Sequence, residues 1–158
     1  MSESFFIDPA LGKREKYQDL VPVIKSLCEG ETSEIANMAN LCAVLKEVFG
    51  WLWVGFYISD GRELVLGPFQ GPVACTRIAL GKGVCGTAWK EEKVMIVPDV
   101  DAFPGHIACS SLSKSEIVLP YFKAGNVAGV LDIDSTQLNS FDSEDEDGLQ
   151  TLLDLLFA

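Results

Sequence analysis

The sequence predicts an α+β protein, with an antiparallel sheet of about six strands and helices packed on one face. Two helical patterns lie near the N-terminus and one lies at the C-terminus. Between them, short apolar and aromatic runs are separated by joins of hairpin length. Strands joined this tightly must be antiparallel, and helices segregated from strands are typical of the α+β class. We therefore expect the N- and C-terminal helices on one face and a pocket under loops on the other.

Length and composition exclude several classes of protein. The 158 residues, 48% of them hydrophobic, are typical of one globular domain. A net charge of -11 disfavours nucleic acid and anionic membranes as partners, because both would be repelled. The sequence contains no run long and apolar enough to span a membrane and no signal peptide pattern. Five irregularly spaced cysteines fit free thiols in a reducing compartment, so we expect a cytoplasmic protein.

One domain is expected over residues 13–158, preceded by a loosely held arm over residues 1–12. Apolar residues recur at helical spacing from Lys13 to Cys28. Pro22 interrupts this pattern and is expected to kink the helix or to begin a second helical piece.

The other two long helices have recognisable ends. Thr32 and Ser33 offer an N-cap for the second helix, and Gly50 closes it. Ser143 with Glu146 predicts a capping box at the start of the last helix. The acidic run over residues 142–147 is interpreted as a solvated helix start rather than as an active site.

Six strands are predicted from apolar runs that end at turn residues. Gly67 and Pro68 are expected to end the second strand, and Cys75 is expected in the middle of the third. Residues 99–115 form a long loop, and loops of this length inside a compact domain are usually functional. The predicted strands cover residues 52–58, 63–66, 73–80, 94–97, 117–122 and 127–133.

The cysteines fall into two groups. Cys28 and Cys42 lie on the apolar faces of the first two helices, where small buried hydrophobes are the expected role. Cys75 is placed in a strand, Cys85 in a glycine-rich turn and Cys109 in the long loop. Thiols in turns and loops are accessible, and turn amides or a protonated histidine would favour the thiolate. The residues alone leave a redox role and a buried-hydrophobe role equally open for these three.

A structural zinc site is weakly supported. The sequence has no Cys-x-x-Cys pair, although His106 and Cys109 are spaced so that both could ligate a metal. We therefore predict no metal site.

Three acids are set among apolar residues. Strand alternation puts Asp132 and Asp134 on one face of a buried strand. Glu116 begins the neighbouring strand and can join them across the hairpin. Grouped carboxylates raise one another's pKa unless a cation lies between them. They predict a pocket that binds an ammonium group and keeps one acid protonated as a proton donor; the alternative is a strand end that reaches solvent.

Two further features border the predicted pocket. Trp53 and Tyr57 lie four residues apart on one strand and share a face, so they either wall the pocket for an apolar or sulfur-bearing group or belong to the core. The glycine-rich run over residues 81–86 lacks the spacing of a phosphate loop. Its amides can instead hold a substrate carboxylate at a helix start.

Together these motifs closely resemble the free methionine-(R)-sulfoxide reductases, which are single GAF-domain enzymes. The resemblance covers nearly the whole chain from Lys13 onward, and all three cysteines and all three acids stand where the family has them. The matching motifs are Gly67-Pro68-Phe69-Gln70-Gly71, Ala74-Cys75-Thr76-Arg77-Ile78, Gly81-Lys82-Gly83-Val84-Cys85-Gly86-Thr87, Gly105-His106-Ile107-Ala108-Cys109, Ser115-Glu116-Ile117-Val118-Leu119-Pro120 and Gly129-Val130-Leu131-Asp132-Ile133-Asp134-Ser135.

The resemblance implies a GAF-type fold and a thiol mechanism. Cys109 resembles the nucleophile that attacks the sulfoxide sulfur, Cys75 the main resolving cysteine and Cys85 a secondary one. The sulfenic acid formed would condense to a disulfide, which a thioredoxin-type dithiol would reduce by exchange. The family uses no metal or organic cofactor, and its members are typically homodimers. Its acids, matched here by Glu116, Asp132 and Asp134, bind the substrate's amino group and protonate the leaving oxygen.

Two other functions compete with this one. A GAF sensor module that binds a cyclic nucleotide or a chromophore would be expected to carry an output domain, for which 158 residues leave no room. In a bilin-bearing GAF domain the cysteine is usually followed by histidine, whereas Ser110 follows Cys109 here. A structural zinc protein would hold stoichiometric metal and show no turnover.

Overall fold

The computed structural model describes residues 4–106 and 110–157. This part of the chain contains four α-helices: α1 (Lys13–Cys28), α2 (Glu34–Phe49), α3 (Gly83–Glu91) and α4 (Ser143–Phe157). It also contains six strands: β1 (Trp53–Ser59), β2 (Glu63–Gln70), β3 (Arg77–Ala79), β4 (Met95–Val97), β5 (Ser115–Lys123) and β6 (Asn126–Ser135). None of the helices in these residues is long and apolar enough to cross a membrane.

The strands form one antiparallel sheet in the order β3-β2-β1-β6-β5-β4. The predicted α+β class is therefore confirmed. Period-two alternation sends Leu131 and Ile133 of β6 into the core under α1, α2 and α4, which also holds Phe56. Val130 and Tyr57 face the other way, into a smaller cluster that includes residues of α3. This second face carries the pocket.

The first two helices keep the bounds that the sequence predicts. Helix α1 runs unbroken through Pro22, so the expected second helical piece does not form. Pro22 has no amide hydrogen to donate, so the carbonyl of Gln18 loses its helical partner. Both residues are exposed, so water can satisfy the freed oxygen. The Ser33 hydroxyl accepts a hydrogen bond from the amide of Ala36, and Gly50 is left-handed, as predicted for the caps of α2.

The predicted capping box of α4 is wrong by one residue. Asp142, not Ser143, caps the helix: its carboxylate accepts from the amide of Glu144 at 2.9 Å. The side chain of Asp145 accepts in return from the amide of Asp142 at 3.0 Å. An aspartate carboxylate competes well for this position because it also faces the positive end of the helix dipole.

The acidic run is also not wholly solvated. Asp145 is fully buried, and its carboxylate accepts hydrogen bonds from Lys13 at 2.6 Å and from the Tyr17 hydroxyl at 2.7 Å. These two residues belong to α1, so the buried carboxylate ties the first helix to the last. Sequence spacing gave no sign of this contact, because it joins residues at opposite ends of the chain.

Strand β2 does not end at Gly67 and Pro68, as predicted, but continues to Gln70. The register with β1 shifts there, so that these two residues lie opposite the single residue Phe56. A bulge of this kind leaves one residue outside the ladder, which lets Pro68 stay in the strand without an amide to donate.

The predicted third strand is much shorter than expected. Only Arg77–Ala79 pair with β2, and Cys75 lies in an irregular segment before them. Gly71, with φ of 140°, and Pro72 turn this segment away from the sheet edge. Residues 72–75 are held by side chains of β1 instead, as described below.

Candidate active site

A pocket lies on the face of the sheet opposite α1, α2 and α4. Its floor comes from β1, β5 and β6, and its sides are closed by the start of α3, by residues 72–74 and by the side chains of His106, Ser110 and Ser113. The cavity measures about 60 Å³, several times the roughly 10–15 Å³ that one water molecule needs. It is therefore large enough to take part of a small ligand.

Two aromatic side chains form one wall of the pocket. Trp53 and Tyr57 share a face of β1, and their ring centroids lie 5.8 Å apart. The indole nitrogen of Trp53 donates to the carbonyl of Pro72 at 3.1 Å, and the Tyr57 hydroxyl donates to the carbonyl of Cys75 at 2.9 Å. Both rings also belong to the small core cluster, so the two alternatives weighed from the sequence both apply.

The three predicted carboxylates come together at the floor. Glu116 of β5 is paired directly with Asp134 of β6, and Asp132 lies two residues further along the same face. All three line the pocket. Glu116 is 5% and Asp132 6% exposed, so neither is a strand end that reaches solvent.

Burial and mutual repulsion govern the charge of these groups. Burial, with the charge of Asp134, raises the pKa of Glu116 to about 8. The pKa of Asp132 is raised well above its usual range by burial and by Glu116. Burial and the charge of Asp132 also raise the pKa of Asp134 well above its usual range. At neutral pH the cluster therefore retains protons that isolated carboxyl groups would have lost.

Few groups offset this negative charge. The Nε2 atom of His106 lies 3.7 Å from Oε2 of Glu116, and the histidine side chain is only 13% exposed. The Ser113 hydroxyl donates to Oδ1 of Asp134 at 2.7 Å. The buried Oδ1 of Asp132 has no hydrogen-bond partner among the described residues. An unsatisfied acceptor at the floor of a cavity favours a donor or a cation as ligand.

Cys85 is placed differently from the sequence prediction. It lies in the first turn of α3 rather than in an open turn, and it is only 4% exposed. A Cβ atom on Gly86 would lie 2.5 Å from the carbonyl oxygen of Ala79, so glycine lets α3 pack against β3 and turns Cys85 inward. Burial, with Asp132 and Glu116 nearby, raises the pKa of its thiol well above the usual range.

The other cysteines divide as follows. Cys28 and Cys42 pack with the helical core, as predicted, and burial raises the pKa of Cys42 to about 12. Both are free thiols, as is Cys85. Cys75, in contrast, is disulfide-bonded, so the expectation of free thiols does not hold for it. Cys109 lies outside the described residues.

Comparison with known proteins decides the family. The GAF domain family matches residues 32–156. The free methionine-R-sulfoxide reductase of Escherichia coli is 49% identical over 144 residues, which cover 90% of this chain and 87% of that protein. The chain belongs to the free methionine-(R)-sulfoxide reductase family. The resemblance found in its motifs is therefore confirmed.

Further relatives agree with this placement in the reductase family. An X-ray structure of the enzyme from Neisseria meningitidis, in complex with its substrate, superposes with a TM-score of 0.94 at 52% identity and covers 99% of this chain and 93% of that one. The GAF domain-containing protein A of Dictyostelium discoideum is 63% identical and covers 91% of this chain and 92% of that protein. The GAF domain of a Coxiella burnetii phosphotransferase, at 18% identity and a TM-score of 0.82, shares the fold alone.

Sequence reasoning missed two polar residues of this reductase-family pocket. Ser113 is buried beside Asp134, but a serine in a long loop gives no signal in the sequence. His106 attracted notice as a possible zinc ligand and as a histidine that could favour a thiolate, whereas the structure places it against Glu116. Its proposed zinc partner, Cys109, lies outside the described residues.

Proposed function

We propose that this protein reduces free methionine-(R)-sulfoxide to methionine, using a cysteine nucleophile and a carboxyl proton donor. The observation that carries the proposal is the group of three buried carboxyls, Glu116, Asp132 and Asp134, in a pocket walled by aromatic rings. The printed names of relatives at 49% and 40% identity, both free methionine-R-sulfoxide reductases, support the same reaction.

The carboxyl group cluster suits the amino group of a free amino acid. An ammonium group supplies three donors and one positive charge, and the unpartnered Oδ1 of Asp132 offers it an acceptor. The ammonium group would bring one positive charge to three buried acids, so at least one acid remains neutral. A peptide-bound residue has no free ammonium group, and this would restrict the enzyme to the free amino acid.

The other ends of the substrate also find partners. The first turn of α3 lines the pocket at Gly83 and Val84, and no side chain among the described residues caps its N-terminus, so its amides suit the substrate carboxylate. Trp53 and Tyr57 offer flat apolar surfaces on which the methyl and sulfur groups can pack.

The reaction then balances with thiols alone. The thiolate of Cys109 attacks the sulfoxide sulfur, and a neutral carboxyl protonates the oxygen, which leaves only when protonated. The attack forms a sulfur–sulfur bond, and the protonated oxygen leaves as water. A water molecule then attacks the sulfur of Cys109, and the sulfur–sulfur bond breaks, which releases methionine and leaves Cys109 as a sulfenic acid. The thiol of Cys75 condenses with the sulfenic acid, which forms a disulfide and releases water. A thioredoxin-type dithiol reduces that disulfide by exchange, and no metal or organic cofactor takes part.

The described cysteines support this division of roles. Cys75 is the one among them that is disulfide-bonded, in keeping with a resolving cysteine. Cys85 is buried in α3, so a secondary resolving role requires the start of this helix to move. We further propose that the enzyme is a cytoplasmic homodimer, as its family resemblance implies.

A coupled thioredoxin assay with three substrates tests the proposal. The substrates are free L-methionine-(R)-sulfoxide, its S epimer and a peptide containing the R-sulfoxide, with thiols verified as reduced beforehand. Turnover of the free R form alone is expected. No turnover of any substrate would overturn the proposal and favour a ligand-sensing GAF domain, and turnover of the peptide would contradict the role given to the ammonium group.

A further inference from the structure

The pocket floor brings together a thiol and two carboxylates from three separate elements. The Sγ atom of Cys85 and carboxylate oxygens of Glu116 and Asp132 all lie within 4.8 Å of one another. All three residues are buried. The first comes from α3 and the other two from the paired strands β5 and β6, so sheet pairing and helix packing fix the group before any ligand arrives.

A second observation points to a ligand at this group. Oδ1 of Asp132 is buried and has no hydrogen-bond partner among the described residues, although the residue is only 6% exposed. Leaving such an oxygen without a partner is costly. Asp132 lines the cavity, so a cation bound there would satisfy this oxygen.

We propose that the reduced protein binds one zinc ion through Cys85, Glu116 and Asp132. One thiolate and two carboxylates are ligands that Zn²⁺ accepts, at about 2.3 Å for sulfur and about 2.0–2.2 Å for oxygen. These bond lengths put tetrahedral ligands roughly 3.3–3.7 Å apart, so the group closes by about 1.5 Å at most. Mg²⁺ and Ca²⁺ are hard cations that take oxygen ligands, so the thiolate of Cys85 disfavours both.

The fourth zinc position is left to water or to His106. This side chain lies 3.7 Å from Glu116 and is largely buried. Binding replaces the thiol proton of Cys85 by the metal and releases that proton to solvent, because only the thiolate ligates.

The zinc ion would inhibit the enzyme. It occupies the carboxylates that, under the proposed function, receive the ammonium group of the substrate, so this consequence rests on that proposal. Zinc and substrate then exclude each other, and zinc raises the apparent KM while kcat at saturating substrate is unchanged.

Direct metal binding provides the test, with Co²⁺ as a spectroscopic substitute for Zn²⁺. Reduced protein in chelator-free buffer is expected to bind about one ion per chain and, with Co²⁺, to show a thiolate-to-metal charge-transfer band. The double variant Cys75→Ser/Cys109→Ser should keep both properties, and so should the control Cys28→Ser. Cys85→Ser and Asp132→Asn should each weaken binding at least tenfold.

Three results would overturn the proposal. They are no binding by the reduced wild-type protein, no charge-transfer band with Co²⁺, and undiminished binding by Cys85→Ser. The band in the Cys75→Ser/Cys109→Ser variant is decisive even where Cys85→Ser does not fold, because neither Cys75 nor Cys109 can then supply the thiolate.

Turnover measured with a strong chelator present separates this proposal from the proposed function. Absence of turnover there refutes the reductase activity, while zinc binding is measured without any substrate. Zinc inhibition that lowers kcat and leaves KM unchanged would refute the shared site.

Discussion

The hydroxyl of Tyr57 donates a hydrogen bond to the backbone carbonyl of Cys75, with 2.9 Å between the two oxygen atoms. Three residues earlier, the carbonyl of Pro72 accepts from the indole of Trp53 at 3.1 Å. The segment between these carbonyls belongs to no strand. The aromatic wall therefore has two roles: it bounds the pocket, and it fixes the backbone that carries the proposed resolving cysteine.

Replacing Tyr57 by phenylalanine should impair recycling more than the first chemical step. The ring remains, but the Cys75 carbonyl loses its donor, at a cost of about 0.5–1.5 kcal/mol in unfolding free energy. We expect methionine formation in a single turnover to keep its rate, while steady-state turnover with thioredoxin falls several-fold. Rapid-quench and coupled assays measure the two quantities.

The matched control for this substitution is Tyr121→Phe. Tyr121 is buried on the opposite face of the sheet, in the helical core, so its loss of a hydroxyl should leave both rates unchanged. Equal steady-state turnover in Tyr57→Phe and wild-type protein would show that this hydrogen bond does not position Cys75.

Two cysteine variants separate the nucleophile from the resolving residue. Cys109→Ser should abolish methionine formation, because no other thiol is assigned to attack the sulfoxide. Cys75→Ser should form about one methionine per chain and then recycle poorly, because the sulfenic acid lacks its resolving thiol. Methionine released per chain, with and without thioredoxin, measures both effects.

Cys28→Ser serves as the control for these variants, since Cys28 packs against the helical core away from the pocket. Full activity in Cys109→Ser would refute the assignment of the nucleophile. Undiminished steady-state turnover in Cys75→Ser would transfer the resolving role to another cysteine.

The sheet and its acids could be predicted because their signals are local. Alternation in β6 placed Asp132 and Asp134 on one face, and the short turn to β5 placed Glu116 beside them. The ends of β2 and β3 could not be predicted. Whether Pro68 ends a strand depends on a bulge that β2 forms against β1, and the path of Cys75 depends on side chains about 20 residues earlier in the chain.

Cys28 and Cys42 are predicted to be buried, but the burial of Cys85 could not be decided from the sequence. The glycines around Cys85 indicate an accessible turn thiol, and a buried role stays open beside it. The same glycines instead permit close packing, as the contact between Gly86 and Ala79 shows. A glycine-rich run predicts that another group can approach the backbone closely, but it does not show whether the run forms an open turn or packs against another element. Only the packed structure distinguishes these two cases.

Adding a methyl group at Gly55 should displace an aromatic side chain that forms the wall of the pocket. An added Cβ atom would lie 2.3 Å from Cη2 of Trp53 and 2.5 Å from Cβ of Phe69, which stacks on that indole. Gly55→Ala should therefore lower the unfolding free energy by about 1–3 kcal/mol and raise KM as Trp53 is displaced. Denaturant unfolding and steady-state kinetics measure these effects.

Gly12→Ala is the control for this substitution, because Gly12 has φ of -68° and a Cβ atom there would meet nothing within 4 Å. It should leave stability within about 0.5 kcal/mol of wild type. An unchanged KM in Gly55→Ala would mean that Trp53 tolerates displacement and does not shape the substrate site.

Stability should fall as the pH rises from about 5 to about 8. The pKa of Glu116 is raised by burial from 4.5 to about 8, so the folded protein binds a proton that the unfolded chain has lost. The extra proton stabilises the folded protein at the acidic end of this range. For one proton, the unfolding free energy falls by up to about 1.4 kcal/mol per pH unit as the pH rises. Asp132 and Asp134 are shifted in the same direction.

Glu116→Gln should flatten this pH dependence, because its amide does not titrate, whereas Glu47→Gln on the exposed face of α2 should not. Melting temperatures measured at intervals from pH 5 to pH 9 provide the comparison. Stability that rises with pH across this range, or an equal slope in Glu116→Gln, would contradict the assigned protonation.

The buried carboxylate of Asp145 should make Lys13 important for stability. Lys13 lies 2.6 Å from this carboxylate, which is fully buried, and removal of the cation leaves a buried charge with the Tyr17 hydroxyl and the Asp142 amide as donors. Breaking a buried pair by removing one partner costs about 3–5 kcal/mol. Because the Lys13 side chain is 26% exposed, water compensates in part, and we expect about 2–3 kcal/mol for Lys13→Met.

Arg14→Met removes the neighbouring ion pair with Glu144, in which the arginine side chain is 72% exposed. It should cost less than about 0.5 kcal/mol, because exposed pairs contribute little. Urea unfolding of both variants at pH 7 compares them directly. Equal, small losses would mean that solvent or Tyr17 satisfies Asp145 without Lys13, and the link from α1 to α4 would then depend on apolar packing alone.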